Sequence, residues 1–355
     1  MTEENVHFYT LNVGQRDSHV IHFPTNQAAL VIDPGNSQII NKLLHENLEI
    51  KFLPIILISH FDIDHMSGLN EVIEGCLEKS LKPGCIFFND HGFLKSKLSK
   101  RVKTILDDLD ELAETHRLET EYAVANSRSS KYFQEILAKL GIEGRIIFPK
   151  RLQQRSGYQK GDFNLFSVIL YLMFANKKIL YTGDLPYAGW KEVDEKEDLK
   201  SDVFKVPHHG GNISDNSGED MQKILDRVNP NFALVSVGSE NSHKHPLPEV
   251  IKTIVSHPEM PHLFCTQMTD QCSKKRHQYK EKVDEFYKSK LINKEKEYNI
   301  LKMGNDKGTM CAGTIRITFN RNSEPWTIPS NFDHHRMLNT FFSTDNLLCR
   351  SGALT

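Results

Sequence analysis

Short apolar runs and helical spacings alternate along the chain. Val6–Asn12, His19–Phe23 and Ala28–Ile32 read as three strands. Gly14-Gln15-Arg16-Asp17 separates the first two, and Asp33-Pro34-Gly35 stops the third with a strong reversal signal. Ile39–Leu48 has helical spacing. Phe52–Ser59 is a nearly unbroken apolar run, the pattern of a strand buried on both faces, and it ends at His60. From Phe93 to Ala113, the residues Leu94, Leu98, Val102, Ile105, Leu109 and Leu112 recur three and four apart, with lysines and arginines on the other face. A second helix is expected at Lys131–Leu140. Leu165–Phe174 and Ile179–Thr182 form an expected hairpin turning at Ala175-Asn176-Lys177, and Val203–Val206 and Phe232–Val237 are further buried strands. Beyond Pro261 the pattern weakens to a charged helix at Lys280–Lys290, a strand at Thr314–Phe319 and a polar tail.

Three of these strands end in residues able to bind a metal: His60, Asp184 and His208. Ligand sites on α/β sheets gather at the carboxyl ends of strands. Composition narrows the classes. The chain has 355 residues, with 44 Lys+Arg against 46 Asp+Glu and a formal charge of −2. That balance excludes a uniformly basic nucleic-acid binder, though not a local basic groove. The acidic start is unlike a signal peptide, and no apolar run approaches a membrane span, so no membrane association is expected. Six dispersed cysteines do not make a disulfide scaffold, and a cytoplasmic setting is expected. The 17 histidines raise the question of a metal site.

The segment Ser59-His60-Phe61-Asp62-Ile63-Asp64-His65-Met66-Ser67-Gly68 answers it most directly. Two imidazoles and two carboxylates leave a buried strand and enter a turn, from which they can reach two neighbouring cations. The plainer reading makes Asp62 or Asp64 a helix cap.

His60-x-Asp62-x-Asp64-His65 resembles the signature of the metallo-β-lactamase superfamily, with Asp62 in place of the usual second histidine, as in the ComEC nuclease domain of DNA uptake and in phosphorylcholine esterases. Further blocks follow in order. Asn12–Ser18 resembles the ComEC-type VGQGD opening with Arg16 replacing glycine, and Asp33-Pro34-Gly35 the D-x-G turn. Asn164-x-x-Ser167, Thr182-Gly183-Asp184 and Val206-Pro207-His208-His209-Gly210 match the next three. Ser236-Val237-Gly238, Asn241 and His245-Pro246 match the last, where Lys244 stands in place of glycine. The resemblance implies an α/β fold, the four-layer αβ/βα sandwich. Residues 1–260 would form the catalytic domain with a helical insertion at about 93–160, and 261–355 an extension completing or flanking the sandwich.

Carried over position by position, the resemblance implies two divalent metal ions, Zn2+ or Mn2+. One would take His60 and Asp62, the other Asp64, His65 and one of His208 and His209, with Asp184 bridging; His209 is favoured as the ligand. His91 is a candidate further ligand for the first ion. His208, His245 and Asp64 are the candidate catalytic residues, and Asn164, Ser167 and Asn241 the candidate substrate contacts. A bridging hydroxide would attack a phosphodiester, possibly within DNA. His243, beside His245, has no counterpart in the family. Two basic clusters are compatible with a nucleic acid: Lys95, Lys97, Lys100, Arg101 and Lys103, and Lys274, Lys275, Arg276 and Lys280. Ester, lactone or amide hydrolysis on the same fold is the alternative, as is a catalytic subunit whose helical insertion docks a protein partner. Cys265, Cys272 and Cys311, with His262 or His277, would make a structural zinc site, against which the plain reading is buried thiols.

Overall fold

The structure, a computed structural model, describes residues 4–89, 98–151, 162–259 and 261–342, with Leu347 and Cys349. Its strands are β1 Asn5–Thr10, β2 His19–Phe23, β3 Ala28–Ile32, β4 Phe52–Leu57, β5 Pro83–Phe88, β6 Glu119–Tyr122 and β7 Glu143–Phe148. There follow β8 Ile169–Phe174, β9 Lys177–Tyr181, β10 Val203–Lys205, β11 Phe232–Val235, β12 His262–Cys265, β13 Ile315–Asn320 and β14 Ser323–Ile328. They build an eight-stranded sheet, ordered β14-β13-β1-β2-β3-β4-β5-β6, and a six-stranded sheet, ordered β12-β11-β10-β9-β8-β7. Strands β3 to β6 run parallel in the first sheet, and β9 to β12 in the second.

Strand alternation sorts side chains into three cores. Phe8, Leu30 and Leu57 of one sheet meet Leu170, Tyr181 and Leu234 of the other. Their neighbours Tyr9, Val31 and Ile56 face outward onto Ile40, Val72 and Leu106 of helices Ser37–Lys42, Leu69–Glu78 and Lys100–His116. On the far side Phe204, Ala233 and Val235 face Ile224 and Ile251 of helices Ser217–Val228 and Pro248–Ser256. The result is helices, sheet, sheet, helices: the four-layer α/β sandwich. Both faces of the central strands therefore have a partner layer, which is why β4 reads as nearly continuous hydrophobicity, with Leu53 and Ile55–Leu57 buried and only Phe52 at its start exposed.

The elements that differ from the sequence reading are mostly edges. Strands β6 and β7 fall within 93–160, where only helices are expected, and β14 with helix Asn331–Phe341 falls in the expected polar tail. Each of these three strands is a sheet edge, where one side faces solvent and charge replaces alternation: Glu119-Thr120-Glu121-Tyr122 is one, and β14 carries Glu324 and Pro325. Asn164–Phe166 is a 3-10 turn before β8 rather than strand. The helix expected from Phe93 begins at Lys100, capped by Ser99, whose side chain accepts from the Val102 N–H; residues 90–97 lie outside the described residues. No described helix is long and apolar enough to cross a membrane.

The cysteines follow the plainer reading of buried thiols. Cys265, Cys272 and Cys311 are free, and burial pushes each thiol up from its ordinary value. Among the described residues, no group of three potential ligands includes a cysteine. Instead Cys311 Sγ lies 3.2 Å from Nε2 of His334, which stacks on Phe264 at 5.1 Å. Burial holds the His334 imidazole down at about 3, helped by His335. The unfolded chain takes up that proton near 6.5, while the folded chain does not until about 3. Stability on this account is therefore full above pH 6.5 and falls as pH drops towards 3, by about 1.4 kcal/mol per pH unit. His334→Leu should reduce the acid-side slope of stability by up to that amount in urea titrations run between pH 7 and 5. An unchanged slope would contradict a buried neutral imidazole.

Candidate metal centre

The site lies where the carboxyl end of β4 meets those of β9, β10 and β11 from the opposite sheet. Each strand stops in a turn with its own local cause. β4 runs into Ser59-His60, and a short helix at Ile63–Met66 turns Asp64 and His65 back across the sheet ends. β9 stops at Gly183, with φ of +50°, where a Cβ would stand 2.9 Å from Ser59 Oγ; glycine alone allows the two sheets to approach here. β10 ends in Pro207, after which His208 and His209 both adopt left-handed backbone, at φ of +53° and +54°. Two consecutive left-handed non-glycine residues are strained, and strain of this kind concentrates at functional sites.

Three imidazoles have the same arrangement. His65 Nδ1 donates to Asp33 Oδ2 at 2.6 Å, His60 Nδ1 to Ser59 Oγ at 2.9 Å, and His209 Nδ1 to the Ser236 carbonyl at 2.8 Å. Each bond fixes the tautomer in which Nε2 carries a free lone pair, the form a metal requires. The Nε2 atoms of His60 and His65 are buried with no hydrogen-bond partner. All three face carboxylates. His65 Nε2 is 3.3 Å from Asp184 Oδ2 and 3.9 Å from Asp64 Oδ2; His209 Nε2 is 3.2 Å from Asp64 Oδ2 and 3.6 Å from Asp184 Oδ2. His60 Nε2 is 3.7 Å from Asp62 Oδ2.

The electrostatics favour positive charge. Burial alone would raise the Asp184 carboxyl, but His65, His209 and Lys205 hold it well below the ordinary value. Burial opposes a charged His65, yet Asp184, Asp33 and Asp64 hold its imidazole well above 6.5. Groups that so favour a proton favour a cation in the same place. Buried, unpartnered ring nitrogens facing carboxylates thus fit divalent metal ions.

Residues 11–222, more than half of the chain, match the family model described as Metallo-beta-lactamase superfamily. The chain belongs to that superfamily. ComE operon protein 3 of Bacillus subtilis (strain 168) is 28% identical over 124 residues, which is 35% of this chain and 15% of that protein. Competence protein ComA of Neisseria gonorrhoeae is 34% identical over 98 residues, 27% of this chain and 14% of that protein. The chain thus spans only a small part of either relative's length. The solved metallo-beta-lactamase fold protein YhfI from Bacillus subtilis aligns with 74% of this chain and 96% of its own, at 10% identity and a TM-score of 0.44.

In this metallo-beta-lactamase site the structure brings together His60, Asp62, Asp64, His65, Asp184 and His209. It separates the histidine pair that the sequence barely distinguishes. His209 is buried among the carboxylates, whereas His208 is turned outward and donates through Nδ1 to the Asn212 carbonyl at 2.7 Å. His245 lines the same mouth, its ring 5.0 Å from that of His208. Two expected substrate contacts have other work. Ser167 is fully buried and its hydroxyl accepts from the Asp184 N–H at 3.1 Å, so it shapes the Asp184 loop. Asn241 spends its amide on its own loop, donating to the Gly238 and His245 carbonyls and accepting from the His245 N–H. Asn164 keeps a buried, unpartnered Oδ1. His91 lies outside the described residues.

Asp17 and Lys205 were not read as site residues from the sequence, and Asp33 was read only as one more acid beside the cluster. Asp33 is a hub: its Oδ1 accepts from Ser59 N, and its Oδ2 from Ser59 Oγ, His65 Nδ1 and the Tyr181 hydroxyl. Asp17 and Lys205 form a fully buried ion pair below Asp184. Lys205 Nζ also donates to the Gly183 carbonyl at 3.0 Å and to Asp184 Oδ1 at 3.3 Å, leaving Oδ2 turned towards His65 and His209. A lysine in the middle of an otherwise apolar buried strand was the available signal.

Removing one member of a buried ion pair costs about 3–5 kcal/mol, because the partner charge stays behind. In chelator-treated protein, Lys205→Met should therefore lower unfolding free energy by that order. The double variant Asp17→Asn/Lys205→Met should recover much of the loss. Additive losses in urea unfolding would contradict the pairing.

Proposed function

We propose that this protein is a dinuclear-metal phosphodiesterase acting on nucleic-acid backbone, with DNA the favoured polymer. The observation that carries the reading is the convergence of three imidazole Nε2 atoms, each held in the ligand tautomer, on Asp62, Asp64 and Asp184. His60 and Asp62 would hold one ion and Asp64, His65 and His209 the other, with Asp184 between them; imidazole and carboxylate suit Zn2+ or Mn2+. Bound there, two divalent ions supply an activated water and neutralise charge on the phosphoryl oxygens.

The chain's own residues do the rest. Asp33 and Ser59 hold two imidazoles rigidly, so the ligands need no rearrangement when substrate arrives. Lys205 holds Asp184 through its other oxygen. At the mouth, His208 donates its Nδ1–H to the Asn212 carbonyl and would present Nε2 to the substrate. Burial and its histidine neighbours hold the His245 imidazole down at about 3, so that it would position a phosphoryl oxygen as a neutral N–H donor rather than protonate the leaving group. The likeness to two competence proteins supports a phosphodiester over an ester or lactone. Six free cysteines fit a reducing compartment and support the cytoplasmic expectation.

Purified protein supplied with Zn2+ or Mn2+ should hydrolyse bis(p-nitrophenyl) phosphate and DNA, and chelator should abolish both activities. Asp64→Ala should reduce the rate at least about a hundredfold, since even outer-shell partners of a metal are worth about 10–100-fold. Metal-loaded protein that leaves both substrates intact but opens a lactone or carboxylic ester would overturn the assignment.

A further inference from the structure

We infer that the active site extends into a second-phosphate subsite built by Lys244 and Arg276, so that the preferred substrate carries another phosphate next to the one attacked. The inference rests on the phosphodiester reading and specifies its substrate. A cavity of about 210 Å³ adjoins the metal centre, lined by His245, Lys244, Arg276, Thr269, Glu240 and Asp270 among others. His245 is the shared wall, its ring 6.2 Å from that of His209. The volume is below the roughly 300 Å³ at which pockets begin to hold drug-sized ligands, and suits one phosphoryl group with part of its sugar.

Three observations give the cavity its chemistry. Lys244 has φ of +60°, a left-handed backbone that costs any L residue more than glycine. The family motif has glycine at this position, so this chain keeps a lysine where the backbone disfavours one, directly beside His245. Strain retained at a site mouth points to a functional side chain. Arg276 is 4% exposed, yet its Nε has no hydrogen-bond partner. Its other nitrogens are engaged, one with Asp270 and one with the Ser239 carbonyl at 3.3 Å. The cavity lining thus holds two cations, Lys244 and Arg276, and two acids, Glu240 and Asp270; Asp270 is paired with Arg276, and the buried Arg276 Nε–H and the Lys244 ammonium remain for an anion. Arg276 also anchors the basic run Lys274-Lys275-Arg276, which this contact places against the His245 loop. Charge-assisted contacts of this kind recognise phosphate.

The test measures binding apart from turnover. The probe is a thymidine dinucleotide whose internal linkage is a phosphorothioate, prepared with and without a 5′-phosphate and titrated calorimetrically into metal-loaded protein. Wild-type protein should bind the 5′-phosphorylated probe about tenfold more tightly, the scale of one charge-assisted contact. Lys244→Gly should erase most of that preference while melting at or above the wild-type temperature, because glycine relieves the backbone. Lys244→Arg should keep the preference. If wild type binds both probes equally, or Lys244→Gly retains the preference, the subsite is wrong and the phosphodiester reading stands. If wild type binds neither probe and cleaves no phosphodiester, both fall.

Discussion

The structure depends on a concentration of carboxylates that the buried ammonium of Lys205 does not balance. Asp17, Asp33 and Asp184 are buried at the ends of the two sheets, with Asp64 and Asp62 partly open at the rim, and among the described residues Lys205 is the one lysine or arginine paired with them. Five carboxylates against one ammonium leave an excess of four negative charges, and in the metal-free site these carboxylates hold the His65 and His209 imidazoles above their ordinary value, so that protons offset part of it. Two divalent cations would balance that excess. The surrounding architecture is arranged to tolerate the cluster: two sheets bring their strand ends together, and the turns at Asp33, Gly183 and His208-His209 accept left-handed backbone, with Asp33, Asp184 and His209 facing inward and His208 outward.

The carboxylates divide the work by depth. Asp33 and Asp17 lie behind the imidazoles and Asp184, where they fix ring tautomers and anchor Lys205. Asp62, Asp64 and Asp184 face the Nε2 atoms directly. The outer groups are more than spectators, since a ligand held by packed hydrogen bonds needs no reorganisation when charge builds on the substrate. His208 and His245 sit further out, with their rings 5.0 Å apart.

Much of this was legible in the sequence because burial on both faces leaves a strong mark. Strands β2 and β3 appear with the bounds their apolar runs suggest, and the polar terminations of β4 and β9, His60 and Asp184, lie in the cluster, whereas at the end of β10 it is His209 rather than His208 that joins it. Edge strands were not legible. In β6 and β14 one face meets solvent, and Glu119, Glu121, Glu324 and Pro325 erase the alternation that would mark a strand. Within the site, residues that touch the cavity were easier to recognise than those behind it. Asp17 ends a motif without an evident role, and Lys205 lies in a run that reads as plain core. Ser167 and Asn241 are polar residues of the same motifs whose hydrogen bonds are made to neighbouring backbone. Spacing identifies polar residues near a site, but only the hydrogen-bond partners show which way each one faces.

The excess of four negative charges is the claim on which the rest stands, and elemental analysis of metal per chain tests it most directly. Protein dialysed against excess Zn2+ or Mn2+ and then freed of loosely bound ions should retain two ions per chain. One ion or none in folded protein would contradict the charge balance and, with it, the dinuclear centre.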